Sequence, residues 1–108
     1  MRHTYPAPML VKPAMKALSV KEPWASQIRS GKKTIEFRTW ATKYRGPLLI
    51  CASASPKSDL SGKAVALVDL IDCRPEPGGG WGWVLKLKQR VNPYPVKGKL
   101  GLFEAPRP

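Results

Sequence analysis

The sequence predicts an α+β, mostly β domain, a small barrel or strongly curved sheet of about six short strands with one main helix and minor helical turns. Three observations point there. Short apolar runs recur between connections rich in Pro, Gly, Ser and Lys, which is the spacing of an all-β chain rather than of alternating βαβ units. A single segment, 24–30, is framed as a helix. The length of 108 residues suits one domain, and 43% hydrophobic content suffices for a small core.

Taken in order, residues 1–14 carry Pro6, Pro8 and Pro13 without periodicity and read as an extended arm. The domain proper is expected over 15–108. Residues 17–20 form a first strand. Pro23 then opens a helix and Gly31 closes it, with Trp24 and Ile28 on the inner face. Residues 34–38 read as a strand whose Ile35 and Phe37 enter the core while Thr34, Glu36 and Arg38 share the other face. A polar connection, 40–46, leads to the apolar run 48–52, which lacks alternation and suits a strand covered on both faces. Residues 53–62 form a loop, and 64–71 repeat the apolar run. Pro75, Pro77 and three successive glycines make 74–80 a connection, as in a hairpin. Beyond it Trp81, Trp83, Leu85 and Leu87 alternate with Gly82, Val84, Lys86 and Lys88, so the tryptophans face the core and the lysines stand open. A turn at 92–95 and a closing strand at 99–104 complete the chain.

Nineteen Lys and Arg against seven Asp and Glu give a formal charge of +12, which selects polyanionic partners, nucleic acid first. Lys43, Arg45, Lys86, Lys88, Arg90, Lys97 and Lys99 are candidates for a patch that contacts a nucleic-acid backbone, the plainer alternative being a solvated strand face. Trp40 and Tyr44, interleaved with Lys43 and Arg45, suit single-stranded nucleic acid. With no apolar run of about 18 residues and no signal-like start, the expectation is a cytoplasmic protein without a membrane partner. His3 is the only histidine, and Cys51 and Cys73 make neither a disulfide framework nor a zinc site. We therefore expect free thiols, no metal and no cofactor. A monomer is expected.

Residues 18–25 (LSVKEPWA), 31–38 (GKKTIEFR) and 40–46 (WATKYRG) together resemble the ASCH (activating signal cointegrator homology) family. The family's G-x-K-x-x-E-x-R motif is met by Gly31, Lys33, Glu36 and Arg38. Residues 48–53, 68–73 and 95–102 also look like its coactivator-like branch, so the resemblance runs from about Met15 to Phe103. It implies a PUA-like pseudo-barrel, whose relatives recognise RNA or modified bases. It also implies a cleft between the first helix and the barrel, furnished here by Ser19, Trp24, Lys33, Glu36 and Arg38.

An aromatic face, a carboxylate and two cations suit a nucleotide: a base stacks, a phosphate meets Arg38 or Lys33, and Glu36 accepts hydrogen bonds from a base amino group. Two plainer readings stand beside it. Trp24 is a core residue beneath the helix, and Glu36 with Arg38 is a structural ion pair. The first functional reading is a module that binds RNA, or single-stranded nucleic acid more broadly, without catalysis. The alternative is a hydrolase acting on RNA or a modified nucleoside, a ribonuclease or an enzyme like the family's N4-acetylcytidine amidohydrolases. Its catalytic groups would be Lys33, Glu36 and Arg38. The resemblance to that amidohydrolase branch covers one of its three catalytic positions: Lys33 matches its Lys, Glu36 stands where it has Thr, and residues 75–80 replace the helical segment that carries its Glu.

Overall fold

Residues 13–108 are described by the structure, a computed structural model. The arm expected over 1–14 lies almost wholly outside the described residues, as does His3. The elements are β1 (Ala14–Val20), α1 (Trp24–Ser30), β2 (Ile35–Arg38), β3 (Gly46–Ala52), β4 (Lys63–Pro75), β5 (Trp81–Pro95) and β6 (Leu102–Pro106). All six strands join one sheet in the order β2-β5-β4-β3-β1-β6. The pair β1–β3 is parallel, with α1 and β2 in the crossover, and the other pairs are antiparallel.

The neighbouring strands β1 and β3 bury apolar side chains on both faces. Leu18, Val20, Leu48 and Ile50 enter a core on one side of the sheet, and Met15, Ala17, Leu49 and Cys51 a second core on the other. That is why 48–52 reads as an unbroken apolar run. The helix and the long hairpin cover the first core, with Ala25 and Ile28 of α1 buried in it.

The mostly β pseudo-barrel is as predicted, but two strands are not short: β4 has 13 residues and β5 has 15. Their pairing shifts register at Ala64/Ala66, Leu67/Val68 and Leu70/Asp72. Each shift bends and twists the ladder, which lets one long hairpin wrap the core instead of splaying away from it. The turn expected at 92–95 is the end of β5, where Tyr94 pairs with Ala64 and Pro95 with Lys63. Pro93 is accommodated because it falls where the ladder skips, and no donor is required of it. Between β4 and β5 the hairpin turns at 76–80, held by Glu76 N–H to the Gly80 carbonyl and Gly79 N–H to the Glu76 carbonyl, each 3.0 Å.

The helix occupies 24–30 as expected. Gly31 sits in the left-handed region at φ +84°, and its N–H reaches the Ile28 carbonyl at 3.0 Å, closing the last turn. Two guanidinium groups tie that end to the sheet. Arg29 donates to the carbonyls of Val65 (3.1 Å) and Val91 (3.3 Å), while Arg90 donates to those of Arg29 (2.8 Å) and Ser30 (3.0 Å).

Trp83 is completely buried. Its indole N–H donates to the Trp40 carbonyl at 3.1 Å, and Trp40 stands edge-on against it with ring centroids 4.7 Å apart. Both polar and apolar demands of the largest core side chain are thus met. Trp81 is half-buried against the same core. Among the described residues no helix is long and apolar enough to cross a membrane.

Both cysteines are free, Cys51 buried and Cys73 half-buried. Burial pushes the Cys51 thiol from its ordinary 9.0 up to about 12. An unfolded chain therefore ionises this thiol first, and the stability that Cys51 contributes is complete below pH 9.0 and declines as pH climbs toward 12. At about pH 8 a thiol reagent should modify Cys73 in the folded protein and leave Cys51 untouched until denaturant is added. Equal rates at the two positions would contradict the burial. Replacing Trp83 by Ala should cost about 3–5 kcal/mol in chemical denaturation, and a loss below about 1 kcal/mol would contradict its complete burial.

Candidate functional site

The strand β2 pairs with β5 so that Glu36 lies opposite Trp83, Arg38 opposite Trp81, and Phe37 opposite Gly82. Directly opposed residues share a face, so Glu36 and Arg38 turn inward with the tryptophans. Phe37 turns outward over a glycine and is 59% exposed, while Glu36 is only 6% exposed. This reverses the expected division of faces. The buried indole decides which side is inside, and the carboxylate can follow it because two cations accompany it.

Those cations are Lys33, 3.8 Å from Glu36 Oε1, and Arg38, whose Nη1 lies 3.2 Å from Oε2. Arg38 Nη1 also donates to the Ser19 carbonyl at 3.3 Å, which links β2 to the end of β1 across the opening between them. Its guanidinium lies 5.9 Å from the centre of the Trp40 ring. Lys33 in turn stands 4.9 Å over the Phe37 ring, and its backbone N–H binds the Gln27 carbonyl of the helix at 3.0 Å. The end of α1 therefore places Lys33, and the pairing with β5 places Glu36 and Arg38.

All five residues expected in a cleft border one cavity of about 660 Å³, namely Ser19, Trp24, Lys33, Glu36 and Arg38. Its size is that of a pocket for a small molecule or a nucleotide. Trp24 is 46% exposed and borders the cavity, so it does not share the inner face of the helix with Ile28 as expected from spacing. The reason is its place at the first turn, where the chain has just left β1 and the opening is still uncovered. Lys21, Phe37, Thr39, Trp40 and Ser53 also line the cavity, together with Lys99, Leu100 and Gly101 from the segment before β6. Leu100 is 99% exposed. The floor is therefore ionic, with Glu36 between two cations, and the rim carries Trp24, Phe37 and Leu100 as open apolar surfaces with Lys21 and Lys99 beside them.

Sequence reasoning missed the contribution of 99–101, which it read as strand, and that of Phe37, which it read as core. The signal for Phe37 was the Gly82 two residues into the facing strand, but it has meaning only once the register is known. Lys99 was placed in a backbone patch, and it stands at the cavity mouth.

The other cations proposed for that patch have varied surroundings. Lys88 lies 3.5 Å from Asp69, Arg45 lies 3.8 Å from Asp72, and Arg90 caps the helix. Lys43, Lys86 and Lys97 are exposed. Asp72 is held below the usual carboxylate range, first by its hydrogen bond from Arg74 and then by the Cys73 N–H, with Arg45 adding a smaller pull. No group of three or more metal-binding side chains occurs among the described residues.

Glu36 is the one charged residue among the buried side chains of the described residues. Removing it leaves Lys33 and Arg38 close together and largely buried without their counter-charge. Glu36→Ala should lower stability by about 1–3 kcal/mol, with a smaller loss for Glu36→Gln, as read from denaturant midpoints. An unchanged midpoint in both variants would show that the ion cluster carries no structural role.

A family model described as "ASCH domain" matches residues 18–95. Among curated proteins the chain is similar to Activating signal cointegrator 1 of Homo sapiens, with 35% identity across a match that takes in 52% of this chain and 14% of that protein. The chain thus meets only about one-seventh of its relative's length.

Proposed function

The chain belongs to the ASCH domain family, and from that membership and the cavity beside β2 we propose that it binds RNA, or single-stranded nucleic acid more broadly, with one nucleotide in the cavity. The observation that carries the proposal is the convergence of Lys33, Glu36 and Arg38 with the open ring of Trp24 around about 660 Å³. A base needs a flat apolar face and a hydrogen-bonding edge, and a phosphate needs cations. The cavity offers all three.

In this reading Trp24 stacks the base, a contact worth roughly 1–3 kcal/mol. Each Glu36 oxygen already meets one cation, and a carboxylate oxygen has lone pairs to spare for a base N–H. Lys33 and Arg38 hold that carboxylate in place, so it recognises without rearranging. Lys21 and Lys99 at the mouth take the phosphate. The same arrangement favours binding over hydrolysis, because both oxygens of Glu36 are already engaged by Lys33 and Arg38.

Titrating a fluorescently labelled single-stranded RNA against the protein at several salt concentrations tests this. Log affinity should fall linearly with log salt, with a slope of about −0.7 per phosphate neutralised. Trp24→Ala should weaken binding by roughly 5- to 150-fold at every salt concentration, whereas Lys99→Ala should flatten the slope. Absence of binding at low salt to both RNA and single-stranded DNA would overturn the proposal.

A further inference from the structure

A second cavity of about 670 Å³ adjoins the first, formed by the β4–β5 turn (Glu76, Pro77, Gly78, Gly79 and Gly80) and Trp81. Phe37, Arg38 and Thr39 border both cavities. The two hollows are thus separated by the end of β2, an edge strand of the sheet, and the residue that follows it. We propose that the second hollow is the site of the neighbouring nucleotide of the same strand, with Phe37 as its stacking platform. This rests on the reading of the first cavity as a nucleotide site.

Three features support it. Phe37 is 59% exposed although large and apolar, and its cross-strand partner Gly82 has no side chain to cover it, the space over that glycine being taken by Glu76 and Ile35. Lys33 occupies one face of its ring and borders only the first cavity, which leaves the opposite face to the second. The cation beneath the ring thus faces the first nucleotide, and the bare face meets the second base. Next, the turn leaves room for a base. A Cβ added at Gly78 or Gly79 would meet no atom within 4 Å, so the floor there is bare backbone. Lastly, Arg38 borders both hollows and stands where the phosphate joining two nucleotides would cross.

The wall also selects the kind of strand. Phe37, Arg38 and Thr39 stand between the two hollows, so bases seated on either side of them are not stacked on one another. The pair of sites therefore accepts a single strand and rejects a duplex.

The experiment compares the four ribonucleoside 5′-monophosphates with the sixteen 5′-phosphorylated ribodinucleotides by NMR titration at low salt. At least one dinucleotide should bind roughly 5- to 150-fold more tightly than its own 5′-mononucleotide, the range of one aromatic stacking contact. Phe37→Ala should abolish that ratio and Phe37→Trp should restore it. Gly78→Leu, at a position with room for a side chain and outside the first cavity, should abolish the ratio while leaving mononucleotide affinity unchanged. Mononucleotide binding without any dinucleotide gain, or a gain that survives both Phe37→Ala and Gly78→Leu, overturns this inference and leaves the first site standing. No binding of mononucleotide, dinucleotide or longer single strands overturns both.

Discussion

The burial of Trp83 is the constraint on which the rest of the site depends. An indole of that size has one place to go in a domain this small, and its N–H needs a partner there, which the Trp40 carbonyl supplies. Once Trp83 is inward, antiparallel pairing puts Glu36 inward beside it and Phe37 outward over Gly82. A shift of one residue would exchange them, burying a phenyl ring and exposing the carboxylate. The hydrophobic core thus determines the polar site through the register of a four-residue strand.

A buried carboxylate is costly without compensation, since its charge has left water. Lys33 and Arg38 compensate from opposite sides, one delivered by the end of the helix and one by the strand itself. Neither cation is consumed by this role. The two of them and Glu36 carry a net single positive charge, and Lys21 and Lys99 add to it at the mouth. Part of the overall excess of +12 is therefore expressed where an anion would enter, while Lys88, Arg45 and Arg90 are engaged with Asp69, Asp72 and helix carbonyls.

Much of the fold was legible because its signals are local. Pro23 and Gly31 bracket the helix, the glycine run marks the hairpin, and the unalternating run of β3 announces a strand with two buried faces. The errors lie where a non-local pairing decides. Ile35 and Phe37 alternate with polar residues just as core positions do, and only Trp83 across the ladder reveals that the polar set is the inward one. Likewise Asn92 and Pro93 carry turn chemistry, but the register shift near Ala64 lets β5 continue through them. The candidate cleft residues were legible chiefly through the motif Gly31, Lys33, Glu36 and Arg38. Phe37, Lys99 and Leu100 carry no motif of that kind, and their place at the rim depends on the curl of the sheet.

The reciprocal arginines at the end of the helix bear on how the cleft meets a ligand. Arg29 reaches from the helix to the carbonyls of β4 and β5, and Arg90 reaches from β5 back to those of the helix. Such a two-way brace removes the swing of α1 against the sheet, and with it the freedom of Lys33, whose backbone hangs from the helix by its bond to Gln27. The ordering entropy of the ionic floor is thereby charged to folding rather than to association. The floor accordingly behaves as a rigid template, and adaptation to different ligands is left to the rim, where Leu100 and Trp24 stand free of the core.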